Sequence, residues 1–171
     1  MTSNTLEVLD QGTPISISFQ DMLKYHGPGF PGGVAHALKV MQRAFPLLDP
    51  ERPPERREIV IETAFRGPGA RDAFEMVTRA VTGDRFVVDP ALERTERGTT
   101  LERYVFRLRY RDRAVTVIIR EGYVTDEFIA LSRKPGRTAA EERHLAVLKQ
   151  EMADRLTGAP ATDVYEVVGA A

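Results

Sequence analysis

Residues 103–119, Arg-Tyr-Val-Phe-Arg-Leu-Arg-Tyr-Arg-Asp-Arg-Ala-Val-Thr-Val-Ile-Ile, set the frame of the fold. Tyr104, Phe106, Leu108 and Tyr110 alternate with Val105, Arg107 and Arg109, the period-two signature of a strand covered on one face. Ala114 to Ile119 is apolar on both sides, which predicts a second and more central strand. Arg111-Asp112-Arg113 between them makes an antiparallel hairpin the simplest connection.

Around this hairpin lie segments of helical period. Ser18 with Asp21 three residues on predicts an N-capped short helix from Phe19 to about Lys24, which Tyr25 and His26 end. Val34, Leu38, Met41, Phe45 and Leu48 predict a helix over about 31–47, on which His36 lies roughly opposite Leu38 and is read as exposed or facing a cavity. Ile59–Thr63 is a β-branched run that reads as a strand. After Phe65-Arg66-Gly67-Pro68-Gly69, the stripe Ala70, Phe74, Val77 and Val81 reads as a helix. Phe86–Val88 reads as a short strand, and 123–131 as a possible further one. Thr138 with Glu141 forms a capping-box signature, and Leu145, Leu148, Met152 and Leu156 mark the buried stripe that follows. Val164 to Val168 reads as an edge strand, the polar proline-rich 49–58 as an exposed connector, and residues 1–17 as a partly flexible extension. Non-alternating order predicts an α+β fold with an antiparallel or mixed sheet packed against helices.

At 171 residues the chain is expected to form one domain. Twenty-four basic and 25 acidic residues give a net charge of −1 and no global pull toward nucleic acid or anionic lipid. No apolar run approaches the roughly 20 residues of a membrane span, and the N-terminus lacks a secretory pattern, so a cytoplasmic protein is expected. Cysteine is absent, which excludes disulfides, thiolate nucleophiles, iron–sulfur clusters and sulfur-ligated zinc.

Tyr25-His26-Gly27-Pro28-Gly29-Phe30-Pro31-Gly32-Gly33 stands between two helices, and a second Gly-Pro-Gly, 67–69, also leads into one. Helix N-termini present free N–H groups and partial positive charge, so a carboxylate or phosphate could sit there. Arg66 and Arg71 flank the second loop, His26 could contact or protonate a ligand, and Tyr25 or Phe30 could line its apolar side. The competing explanation is that both loops only make tight turns and that His26 bonds a backbone carbonyl. Glu62 and Asp72 could act as a carboxylate pair in acid–base work, or Asp72 could stabilise its own helix. Arg103, Arg107, Arg109, Arg111 and Arg113 make a basic row. Neighbouring Glu93, Glu96, Glu102 and Asp112, and the need to protect exposed strands, explain it without nucleic acid. His144 reads as a surface residue. No Ser-His-Asp order, P-loop, dinucleotide fingerprint or metal-binding helix motif occurs.

In order and pattern the stretch from about Phe19 to Val167 resembles the FmdE-like family of formylmethanofuran dehydrogenase components. That family has His-Gly-His-x-Cys-Pro-Gly before a long helix, where this chain has His26-Gly27-Pro28-Gly29-Phe30-Pro31-Gly32. It has a Glu-Thr strand, a Cys-x-x-Asp-Ala step and a Thr-Gly-Cys-Thr-x-Gly turn, where Glu62-Thr63, Gly69-Ala70-Arg71-Asp72-Ala73 and Thr78-Arg79-Ala80-Val81-Thr82-Gly83 stand here. The family's ligand positions are Pro28, Phe30, Gly69 and Ala80 in this chain, so the expectation is no metal and no cofactor. The resemblance implies that the two glycine loops lie together and form a pocket, and that the chain pairs as a homodimer. The expected occupant is a small anionic or one-carbon-related molecule held by Tyr25, His26, Gly27, Gly29, Phe30, His36, Glu62, Arg66, Gly67, Gly69, Arg71 and Asp72. The alternatives are an enzyme with His26 as its acid or base, and a structural or regulatory homodimer without a ligand.

Overall fold

The structure, a computed structural model, describes residues 3–170. It is an α+β fold with two sheets. Strands β1 (Thr5–Asp10) and β2 (Thr13–Ser18) form an antiparallel hairpin in register from Thr5 opposite Ser18 to Asp10 opposite Thr13. Residues 1–17 were expected to be a partly flexible extension. Met1 and Thr2 lie outside the described residues, but 5–18 are built into the fold, because Leu6, Val8 and Ile17 join the core. Gln11 and Gly12, both at positive φ, make the two-residue turn.

Helix α1 (Phe19–His26) starts at Ser18, whose side chain accepts from the Asp21 amide at 3.0 Å while Asp21 accepts from the Ser18 amide at 2.9 Å. Helix α2 (Pro31–Leu48) is the central element, with every residue from Pro31 to Met41 buried. It packs on α3 (Pro68–Thr78), on α5 (Ala139–Thr157) and on the larger sheet. A helix buried on all sides tolerates apolar residues all round, which is why the expectation of an exposed His36 fails: it is wholly inaccessible. Lys39, one turn on, is also fully buried, and its amine has no hydrogen-bond partner among the described residues. Burial pulls that amine from its ordinary 10.5 down to about 8.

The larger sheet comprises β3 (Ile59–Thr63), β4 (Phe86–Val88), β5 (Val105–Tyr110), β6 (Arg113–Ile119) and β7 (Tyr165–Ala170), in the order β4-β3-β5-β6-β7. It is mixed: β4 runs parallel to β3 and the other neighbours are antiparallel. The expected β5–β6 hairpin is present, with Arg109 opposite Ala114, but β5 rather than β6 is the middle strand. The C-terminal strand lies at one edge as expected. Ile59, Ile61, Phe106, Leu108, Val115 and Val117 are buried under α2 and its neighbours.

The opposite face is polar at its centre. Glu62, Arg107 and Thr116 are in register there, and Glu62 meets Arg109 at 2.8 Å. Arg103 pairs with Glu93 and Arg111 with Glu58, so much of the basic row carries its own counter-charge.

Two further differences concern helix limits. The stretch 123–131 is not a strand: Thr125 accepts from the Phe128 amide and opens α4 (Asp126–Arg133), with Asp126 and Glu127 in its first turn. Helix α3 stops at Thr78 because Arg79 turns left-handed, leaving Val81 in the following turn. The 49–58 connector is anchored to the hairpin, where Glu55 accepts from the amides of Gln11 and Gly12. The short α6 (Ala161–Val164) leads into β7. No helix among the described residues is long and apolar enough to cross a membrane.

Candidate functional site

The two glycine loops meet backbone to backbone. A Cβ built on Gly69 would lie 2.4 Å from the Phe30 carbonyl oxygen and 3.1 Å from the Val34 amide nitrogen, and one on Gly33 would lie 3.0 Å from the Ala70 nitrogen. Only glycine permits this approach, which sets the N-termini of α2 and α3 side by side. Neither is capped by a side chain: Phe30 and Gly67 occupy the N-cap positions, and Pro31 and Pro68 open the helices.

Next to this junction is a cavity of about 190 Å³. Its buried wall is made by Gly32, Gly33 and Gly69 with Tyr104, Ile129 and Met152; Phe30, Phe65 and Phe128 complete the apolar lining. Arg66, Arg103, Arg133 and Lys149 supply all its charge, and no carboxylate lines it. Arg103 has a partner in Glu93, 3.3 Å away. Among the described residues Arg66, Arg133 and Lys149 have no carboxylate within ion-pair distance. Lys149 instead lies 4.0 Å from the centre of the Phe30 ring and donates to the Gly29 carbonyl at 3.3 Å. Burial lowers its affinity for a proton, and Arg137 adds to the effect.

Tyr104 is 3% exposed. Burial pushes its phenol well up, with the Arg133 charge opposing, so the hydroxyl keeps its proton. Behind it, the His36 and Tyr104 rings are 4.8 Å apart, and His36 Nδ1 is 2.8 Å from the Tyr165 hydroxyl. His36 therefore supports the cavity wall without reaching the cavity.

Of the residues singled out from sequence, Phe30, Arg66, Gly67 and Gly69 line the cavity. Tyr25, His26, Gly27, Gly29, His36, Glu62, Arg71 and Asp72 do not. Tyr25 is exposed beside a different depression formed with Ile17, Arg56 and Arg79. Arg71 is exposed, and Glu62 is committed to Arg109 on the far sheet face. The expected Glu62–Asp72 pair is thus not formed as a working unit. Asp72 instead lies 2.8 Å from His26 Nδ1 and accepts its hydrogen bond. The backbone-carbonyl partner considered for His26 is replaced by this carboxylate. The His26 side chain is 7% exposed and its Nε2 is buried without a partner among the described residues.

Sequence reasoning missed Phe65, Tyr104, Phe128, Ile129, Ser132, Arg133, Lys149 and Met152 as lining residues. Among the described residues no three His, Asp or Glu side chains gather as a metal site would require. A broader groove of about 750 Å³ lies along Leu6, Phe45 and the prolines of 50–54, but its Glu7, Asp49, Glu51 and Arg52 offer no single sign of charge.

No family model matches the chain, and no curated protein matches it.

Proposed function

We propose that this chain binds a small organic anion in the cavity beside the two glycine loops, on a scaffold of the FmdE-like type. What supports the reading is the concentration of Arg66, Arg133 and Lys149, without carboxylate partners, around an apolar pocket that two uncapped helix N-termini adjoin. Unneutralised cations close together raise each other's energy, and an anion relieves that while its apolar body fills the cavity. The adjoining loops support the family reading because the resemblance implies this adjacency.

Titration with a panel of acetate, succinate, benzoate and inorganic phosphate tests it. At least one organic anion is expected to bind, and Arg133→Glu to weaken it by tenfold or more, since a favourable charge becomes a repulsive one. Absence of binding across the panel, or equal affinity in the variant, contradicts the reading.

The second reading, acid–base chemistry at His26, is favoured by Asp72, which orients the ring and leaves Nε2 uncommitted. His26 is outside the cavity wall, so this reading needs a substrate to approach from the loop side.

A further inference from the structure

The chemistry of the lining narrows the ligand class. We infer that the cavity selects a small aromatic monocarboxylate, a single planar ring bearing one carboxylate, such as benzoate. This rests on the reading of the cavity as an anion site and specifies its occupant.

Size comes first. At about 190 Å³ the cavity is smaller than the roughly 300–1,000 Å³ typical of sites for drug-sized ligands. A single ring with its carboxylate fits this volume with room to spare, whereas a fused bicyclic acid would have to fill it almost completely.

Shape and polarity come next. The lining rings of Phe30, Phe65, Tyr104 and Phe128, with the Met152 thioether, present aromatic edges and faces. Phe65 and Tyr104 are already set as a tilted pair with centroids 4.9 Å apart. A planar ring gains from such surroundings beyond its area, through edge-to-face and sulfur contacts that a saturated ring makes less well.

The charge lies at the open end. Arg66 and Arg133 are exposed, whereas Tyr104, Ile129 and Met152 are buried, so an amphipathic ligand enters ring first and leaves its carboxylate among the cations. Guanidinium groups match a carboxylate in plane and present parallel donors. The Tyr104 phenol, which keeps its proton, lines the same cavity and offers one further donor. Phosphate finds the same cations, but it has no apolar body to fill the aromatic part of the cavity.

Calorimetric titration of the full chain with benzoate, benzamide, acetate, cyclohexanecarboxylate, 1-naphthoate and inorganic phosphate tests the assignment. Benzoate is expected to bind tightest. Benzamide keeps the ring and loses the charge, and acetate does the reverse; each is expected to be weaker by about tenfold or more. Cyclohexanecarboxylate is expected to be several-fold weaker than benzoate. Arg133→Ala and Lys149→Ala, at positions that are not buried, are expected to weaken benzoate in proteins whose melting curves match the parent. Phosphate, acetate, cyclohexanecarboxylate or 1-naphthoate binding as tightly as benzoate overturns the aromatic monocarboxylate assignment and leaves anion binding standing. If no anion in the set binds, or neither variant changes benzoate affinity, both readings fall.

Discussion

Acidification from pH 7 to pH 3 is expected to cost the folded chain about 4 kcal/mol through His36 alone. His36 is fully buried, bonded on one side to the Tyr165 hydroxyl and surrounded by Phe65, Tyr104 and Tyr165 rings. Burial pulls its imidazole from the ordinary 6.5 down to about 3. The unfolded chain therefore binds a proton at His36 below about pH 6.5 while the folded chain refuses it until about pH 3. The stability tied to this histidine is fully present above the unfolded value and is lost as pH falls through the folded one, below which the slope vanishes. Carboxylates add their own acid dependence, so the measurement is a difference. Chemical denaturation of the parent and of His36→Gln should give curves against pH that diverge below pH 6.5, with the parent losing about 2.5 kcal/mol more by pH 4.5. Parallel curves would mean that His36 accepts its proton in the folded state.

Gly69→Ala is expected to destabilise the protein by about 3 kcal/mol or more, whereas Gly32→Ala should cost less than about 1 kcal/mol. Both glycines line the cavity, and both would place a new carbon unacceptably close to another atom. The difference lies in what the carbon meets. At Gly69 it meets the Phe30 carbonyl oxygen at 2.4 Å, with the Val34 amide behind, and neither backbone group moves without separating the two helix starts. At Gly32 it meets the end of the Met152 side chain at 2.3 Å, a flexible thioether that can change rotamer. Urea unfolding of the two variants separates these cases, and equal losses would show that the loop junction is not rigid.

Elements with one strong periodic signal were legible. The spacing of Val34, Leu38, Met41 and Phe45 located α2, the alternation from Tyr104 to Tyr110 located β5, and Thr138 with Glu141 located the start of α5. The first hairpin was missed although Leu6 and Val8 face Ile17 and Ile15 across a Gln11-Gly12 turn, because neither strand is strongly apolar and nothing local shows where Leu6 and Val8 are buried. At 123–131 the apolar residues fit either period; the Thr125 cap with Asp126 and Glu127 was the available helix signal.

Taking 123–131 for a strand hides one wall of the candidate site. Phe128, Ile129 and Arg133 reach the cavity only because α4 is a helix, and Lys149 and Met152 reach it from α5. The loops announced themselves through glycine and proline, but which charges converge on them depends on contacts between residues far apart in the chain. Lys149 over the Phe30 ring is such a contact, and sequence spacing carries no trace of it. His26 stood out as a histidine among glycines, yet its partner Asp72 lies on α3, and neither residue belongs to the cavity wall that Phe30 helps to form.

Amide chemical-shift mapping with benzoate decides whether this cavity is the binding site. Saturable shifts are expected at Gly32, Gly33, Gly67, Gly69, Tyr104 and Ile129, strongly reduced in Arg133→Ala. Shifts confined to the groove along Leu6 and Phe45, or none at all at saturating benzoate, would contradict anion binding beside the glycine loops.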